Sequence, residues 1–211
     1  MRVTVDMRVL ELLSARLCHE LVSPVAAISN GVELLGEEDP DFVRDAVELI
    51  GQSAQKAGRR LQFYRFAYGT SGSAVGIDPK ALIDGLLDDG KIACDWPPEA
   101  MTLPQDWQRL ACNIVVMATE CLPRGGAIAV RPKRAGVSGL EVLATGDTVN
   151  VTPEMRAAVA PNAVVEDLTS RTVQSYFSGR LAERLGAQLS VAQVTPGQAA
   201  LTAIAGPRQP P

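Results

Sequence analysis

Apolar residues recur near the start of the chain at Leu10, Leu13, Leu17, Leu21, Val25, Ile28, Val32 and Leu35, in steps of 3, 4, 4, 4, 3, 4 and 3. That is a helical period, and at about 100° per residue the eight positions gather within an arc of roughly 120°. The pattern predicts a helix over residues 6–35. Gly36 and Pro40 then stop it, the first as a C-terminal glycine and the second as a residue that cannot continue the helix. Asp39 or Asp41 can cap a second helix with Pro40 in its first turn. Val43, Ala46, Val47, Ile50, Ala54, Ala57, Leu61 and Tyr64 keep the same spacing there. Two long helices joined by a short loop make an antiparallel hairpin. Such a hairpin cannot bury its stripe alone. The economical solution is a second copy, so the pattern predicts a homodimer with a four-helix bundle at its interface. The alternative is that the stripe packs on the rest of the same chain.

Residues 70–76 are glycine, serine and threonine with two aliphatic residues, the composition of a linker. Beyond them helix and strand signals alternate. Asp78 and Pro79 open a helix to about residue 87, and residues 91–96 have strand composition. A long apolar helix over 104–122 ends at Pro123-Arg124-Gly125-Gly126. Strands are predicted at 127–132 and 140–144 with Gly136 in their turn, a short helix from Thr152-Pro153-Glu154, and a longer one over 169–185 stopped by Gly186. A last hairpin pairs 188–194 with 199–205 around Pro196-Gly197. The expected fold class is therefore α+β: a helical hairpin over 1–69, a linker at 70–76, an α/β sandwich over 77–206, and a loose proline-rich tail at 207–211.

Composition narrows the function. A net charge of −4 argues against nucleic-acid binding. No apolar run approaches about 18 residues, and Arg2, Asp6, Arg8 and Glu11 interrupt the N-terminus, so neither a membrane span nor a signal peptide is expected. The protein reads as cytoplasmic. Cys18, Cys94, Cys112 and Cys121 are widely separated, and a single histidine leaves no basis for a zinc site. Reduced thiols that act as small hydrophobes are expected.

That histidine, His19, falls opposite the centre of the apolar stripe, where a core residue would not be placed. Ser23, Ala26, Ala27 and Asn30 share its side of the helix and leave a flat landing surface. Glu20 follows directly and is a candidate to hydrogen-bond one ring nitrogen, which would leave the other free to attack. Pro24 sits inside the predicted helix. It removes the amide that would bond the carbonyl of Glu20 and tends to kink the helix.

A helix-borne histidine followed by an acid, with proline five positions on, resembles the phosphoacceptor box of two-component histidine kinases; here it reads His19-Glu20-Leu21-Val22-Ser23-Pro24. The order of elements after the linker resembles the ATP-binding domain of those kinases, and residues 113–126 resemble their asparagine box. At the place of the magnesium-holding asparagine stands Met117, whose soft thioether does not suit a hard cation. The next box would present an aspartate to adenine. Its counterpart is Thr145-Gly146-Asp147-Thr148-Val149-Asn150, with Gly146 at the aspartate's place and Asp147 as an alternative survivor. The glycine-rich lid is replaced by Thr169-Ser170-Arg171-Thr172-Val173-Gln174, which lacks the Gly-x-Gly needed to wrap phosphates.

An intact histidine box beside lost nucleotide boxes resembles the ChpT group of histidine phosphotransferases in alphaproteobacterial phosphorelays. The resemblance implies a dimeric hairpin carrying phosphohistidine and a degenerate ATPase-like domain that no longer binds ATP. It implies that His19 accepts a phosphoryl group from the receiver aspartate of a hybrid histidine kinase and passes it to response-regulator receivers, in cell-cycle control. Glu20 becomes the orienting or proton-accepting neighbour, Arg16 a cation steering the phosphoryl group or an acidic receiver pocket, and Ser23, Ala26 and Asn30 receiver contacts. No cofactor is expected on this chain, and magnesium is expected in the receiver's acidic pocket. Two other functions fit less well: a scaffold that binds receivers without carrying phosphate, and a divergent autokinase.

Overall fold

In the computed structural model, residues 6–69, 76–88, 90–133 and 139–206 are described. Most of the predicted linker, the turn around Gly136 and the predicted tail fall outside them.

Helix α1 spans Met7–Leu34 and α2 spans Pro40–Tyr68. Each starts on an aspartate whose carboxylate accepts a backbone N–H of the first turn, Asp6 from Arg8 and Asp39 from Asp41. The two pack as an antiparallel hairpin. α3 (Pro79–Leu86) follows, then β1 (Ile92–Asp95), α4 (Pro98–Met101) and α5 (Gln105–Glu120). β2 (Gly126–Lys133), β3 (Gly139–Thr145), α6 (Pro153–Val159), α7 (Val173–Arg184), β4 (Ala187–Thr195) and β5 (Gln198–Ala205) complete the chain. The sequence pattern missed α4 and a 3-10 turn at Val165–Asp167, both too short to show a period. The last predicted helix starts four residues late. Thr169 and Thr172 exchange backbone-to-hydroxyl hydrogen bonds of 2.9 and 3.3 Å, and these hold residues 169–172 as a turn.

The five strands form one sheet in the order β1-β2-β3-β5-β4, with β1 parallel to β2 and every other pair antiparallel. Side chains alternate across it. Ile128, Val130, Leu140, Val142, Leu201, Ala203, Leu189 and Val191 are buried on one face, against α5 and α7. The fold is thus two layers, helices on one side of a sheet, with the hairpin attached. The attachment is itself core: Phe63, Phe66 and Ala67 at the end of α2 are fully buried among Ile83, Leu110 and Ile114.

The Pro123-Arg124-Gly125-Gly126 ending has a steric cause. Gly125 and Gly126 have φ of +85° and +147°, and a Cβ on either would lie 2.3 Å from a backbone oxygen, of Lys91 or Thr145 respectively. Gly179 is another close approach, with α7 resting on the end of α6. A Cβ there would meet the Val159 carbonyl oxygen at 2.7 Å.

Gly179→Ala therefore tests the layer packing against helix propensity. Propensity favours alanine by about 1 kcal/mol, but the clash is with backbone that cannot rotate away. A net loss of about 1–3 kcal/mol in urea unfolding is expected.

Candidate functional site

α1 divides its surface among three adjacent lines. The first is Val9, Leu13, Arg16, Glu20, Pro24, Ala27 and Gly31, all buried or half-buried. These face α2 and the sheet layer, and they recur in steps of three or four. The predicted apolar stripe lies one position over and is only partly covered. Leu13, Leu17, Leu21 and Ile28 are half-buried, while Leu10, Val25, Val32 and Leu35 are 40–55% exposed. The third line, His19, Ser23, Ala26 and Asn30, is exposed throughout. His19 thus reaches solvent beside small neighbours. It flanks the buried line rather than standing diametrically opposite to it.

Glu20 does not turn to the imidazole. Among the described residues no hydrogen bond joins the two, and the Glu20 carboxylate instead pairs with Arg60 of α2. The same guanidinium nitrogen donates to the Glu20 backbone carbonyl at 2.7 Å. Tyr64, one turn further along α2, lies beside this pair. Burial pushes its phenol up to about 12, and the Glu20 carboxylate adds to the shift.

Arg16 is also committed. Its guanidinium bonds Glu120 at the end of α5 at 2.6 Å and donates to the carbonyls of Ser170 and Arg171 at 3.3 and 3.5 Å. Burial opposes the Arg16 charge, but Glu120 outweighs it and holds the guanidinium above its usual value. Burial likewise pushes the Glu120 carboxyl up against the pull of Arg16. Arg16 is therefore neither a free steering cation nor a solvated helix residue. It is a clamp between α1 and the loop before α7. Arg8 repeats the device lower down, donating to the carbonyls of Val165 and Leu168 at 3.2 and 2.9 Å. Val9 beside it is buried with Ala158, Leu168 and Val173.

A buried polar chain, which sequence reasoning missed, secures α2. Tyr68 donates to Gln174, Gln174 donates to Asn113 at 3.0 Å, and Asn113 donates to the carbonyls of Ala67 and Arg109 at 3.2 and 2.9 Å. The available signal was amide side chains inside otherwise apolar helices, which persist in a core only when their hydrogen bonds are met.

The residues at the places of the kinase nucleotide boxes are engaged in packing. Met117 is fully buried in the main core. A Cβ on Gly146 would lie 2.8 Å from the Gly125 carbonyl oxygen, so an aspartate does not fit there. Asp147 is exposed. The segment at the lid's place gives its carbonyls to Arg16. No group of three or more potential metal-ligating side chains occurs among the described residues. A cavity of about 600 Å³ lies between α6 and the segment before α7, walled by alanines with Glu154 and Asp167 at its edge. Two of the cysteines, Cys112 and Cys121, are buried in the core as small hydrophobes.

This architecture is that of a phosphotransferase. A solved bacterial phosphotransferase superposes with a TM-score of 0.76 at 29% identity, covering 95% of this chain and 98% of its own. The protein phosphotransferase ChpT of Brucella abortus (strain 2308) is 34% identical over 189 residues, which is 85% of this chain and 88% of that protein. Residues 77–196 match the family "Histidine phosphotransferase C-terminal domain". The chain belongs to the histidine phosphotransferase family and has the phosphoryl-transfer role of a phosphorelay component. None of the described helices is long and apolar enough to cross a membrane.

The Tyr64 phenol gives a pH test of the site's packing. Its ionisation moves from 10.0 to about 12 on folding. Between those values the unfolded chain sheds this proton and the folded chain keeps it, so its stabilising effect is full below the lower value and is lost as pH rises to the upper one. Urea unfolding across this range should show stability falling less steeply in Tyr64→Phe than in the wild type.

Proposed function

We propose that this chain shuttles phosphoryl groups between receiver domains through His19. A neutral imidazole nitrogen attacks the phosphorus of a receiver aspartyl phosphate, forming the N–P bond as the acyl P–O bond breaks. The aspartate leaves as carboxylate with the electron pair, and the phosphorylated ring carries the positive charge until it transfers or loses its remaining N–H proton. The reverse exchange onto a second receiver's aspartate completes the relay. The carrying observation is an exposed imidazole beside Ser23, Ala26 and Asn30, a line with no bulky side chain to keep a receiver's acidic pocket from approaching in line. Magnesium comes with that pocket.

ATP plays no part in this reading. Support comes from the buried Met117, from the crowded Gly146, and from the lid-position loop that Arg16 occupies. A scaffold without phosphate would leave the exposed histidine unused.

The protein works in the cytoplasm as a homodimer. The support is the uncovered apolar line of α1, continued on α2 by Val47 and Leu61, 58% and 54% exposed. A second hairpin would bury them together.

Two experiments test this. Phosphate should appear on the wild type from a phosphorylated hybrid-kinase receiver, not from ATP with magnesium, and should be lost in His19→Ala; relay by His19→Ala would make the protein a scaffold. In light scattering the wild type should run at twice the chain mass, and Val25→Asp with Val32→Asp should run as a monomer while retaining its helical circular dichroism.

A further inference from the structure

The turn that displays His19 has a backbone fault, and the structure shows what repairs it. Residue 24 is proline, so the carbonyl of Glu20 has no i+4 amide to accept from. Pro24 is buried, which keeps water from serving that oxygen freely. Arg60 lies 40 residues on and belongs to the other helix of the hairpin. Its Nη1 carries two hydrogens. One goes to the orphaned Glu20 carbonyl at 2.7 Å and the other to the Glu20 carboxylate. The Arg60 side chain is 21% exposed and that of Glu20 37%, so the contact is half-shielded on the arginine side.

We propose that Arg60 is a positioning residue for phosphoryl transfer: it supplies across the hairpin the donor that Pro24 removes, and so holds the turn from which His19 projects. His19 is the residue immediately before the carbonyl being held. Any sway of that peptide swings the imidazole relative to a docked receiver, and in-line transfer tolerates little misplacement. The same contact keeps the Glu20 carboxylate on α2, away from the ring nitrogen that must attack. The inference rests on the proposed acceptance of phosphate at His19.

A cycle between Arg60 and Pro24 tests it. In Arg60→Ala the rate of transfer from a phosphorylated hybrid-kinase receiver to His19 should fall about tenfold or more, with Arg60→Lys retaining most of it because both bonds come from one nitrogen and an ammonium also offers several donors from one. In a Pro24→Ala background the amide is restored, and Arg60→Ala should then cost about threefold or less. Equal losses in both backgrounds would mean that Arg60 acts through the carboxylate alone, and no loss in Arg60→Ala would mean that it positions nothing; either overturns the proposal. Carbethoxylation of the single histidine, followed at 240 nm, should stay within about twofold of wild type, since exposure is unchanged; a parallel fall would mean that Arg60 acts on the imidazole's own reactivity rather than on its placement, and would overturn the proposal. A readout without phosphate separates this inference from the reading of His19. The carbonyl carbon resonance of Glu20 should move upfield in Arg60→Ala and not in the double variant. If it stays put in both, the proposal fails even where transfer works. If it moves as expected while the wild type accepts no phosphate, the positioning contact stands and the shuttle reading falls.

Discussion

One helix must serve three surfaces at once, and its circumference sets how. α1 offers a line to α2 and the sheet layer, a line of large aliphatic residues left half-open, and a line of small residues carrying His19. Neighbouring lines differ by a single residue position, so what one line gains the next constrains. Glu20 belongs to the inward line and His19, its chain neighbour, to the outward one. Clamping the first therefore aims the second.

The clamping groups are charged, which is unusual for an inward-facing seam. Arg8 and Arg16 of α1 and Arg60 of α2 each spend donors on backbone carbonyls outside their own helix. A guanidinium suits this because its several donors serve two acceptors at once; Arg16 reaches the Glu120 carboxylate through one nitrogen and backbone carbonyls through the other. Breaking one partner of such a contact leaves the other buried and unmet, so the geometry is held more firmly than the net strength of the pair suggests. The outcome is a hairpin fixed to its α/β partner.

The main core reinforces the same rigidity. Phe63 and Phe66 enter it from α2, and the Tyr68–Gln174–Asn113 chain ties the end of that helix to α5 and α7. Truncating a buried phenylalanine of this kind costs about 3–5 kcal/mol, so these two side chains anchor the hairpin on the sheet layer.

Periodicity, caps and breakers were enough to place both long helices, all five strands and the exposed histidine box, because these depend on residues near one another in sequence. The short α4, the turn before α7 and the bond of Glu20 to Arg60 were not legible there. The first two have too few residues to carry a period, and the third joins positions 40 residues apart. Arg16 and Glu20 each had several partners available on paper. Only the docking of α1 against α2 and the α7 loop chose Glu120 and Arg60, since a charge brought out of water must take whatever opposite group the fold sets beside it. The sequence by itself determined which side chain is offered to solvent. The tertiary structure decided what holds it there, because a helix's own pattern states which faces differ and is silent on what each will meet.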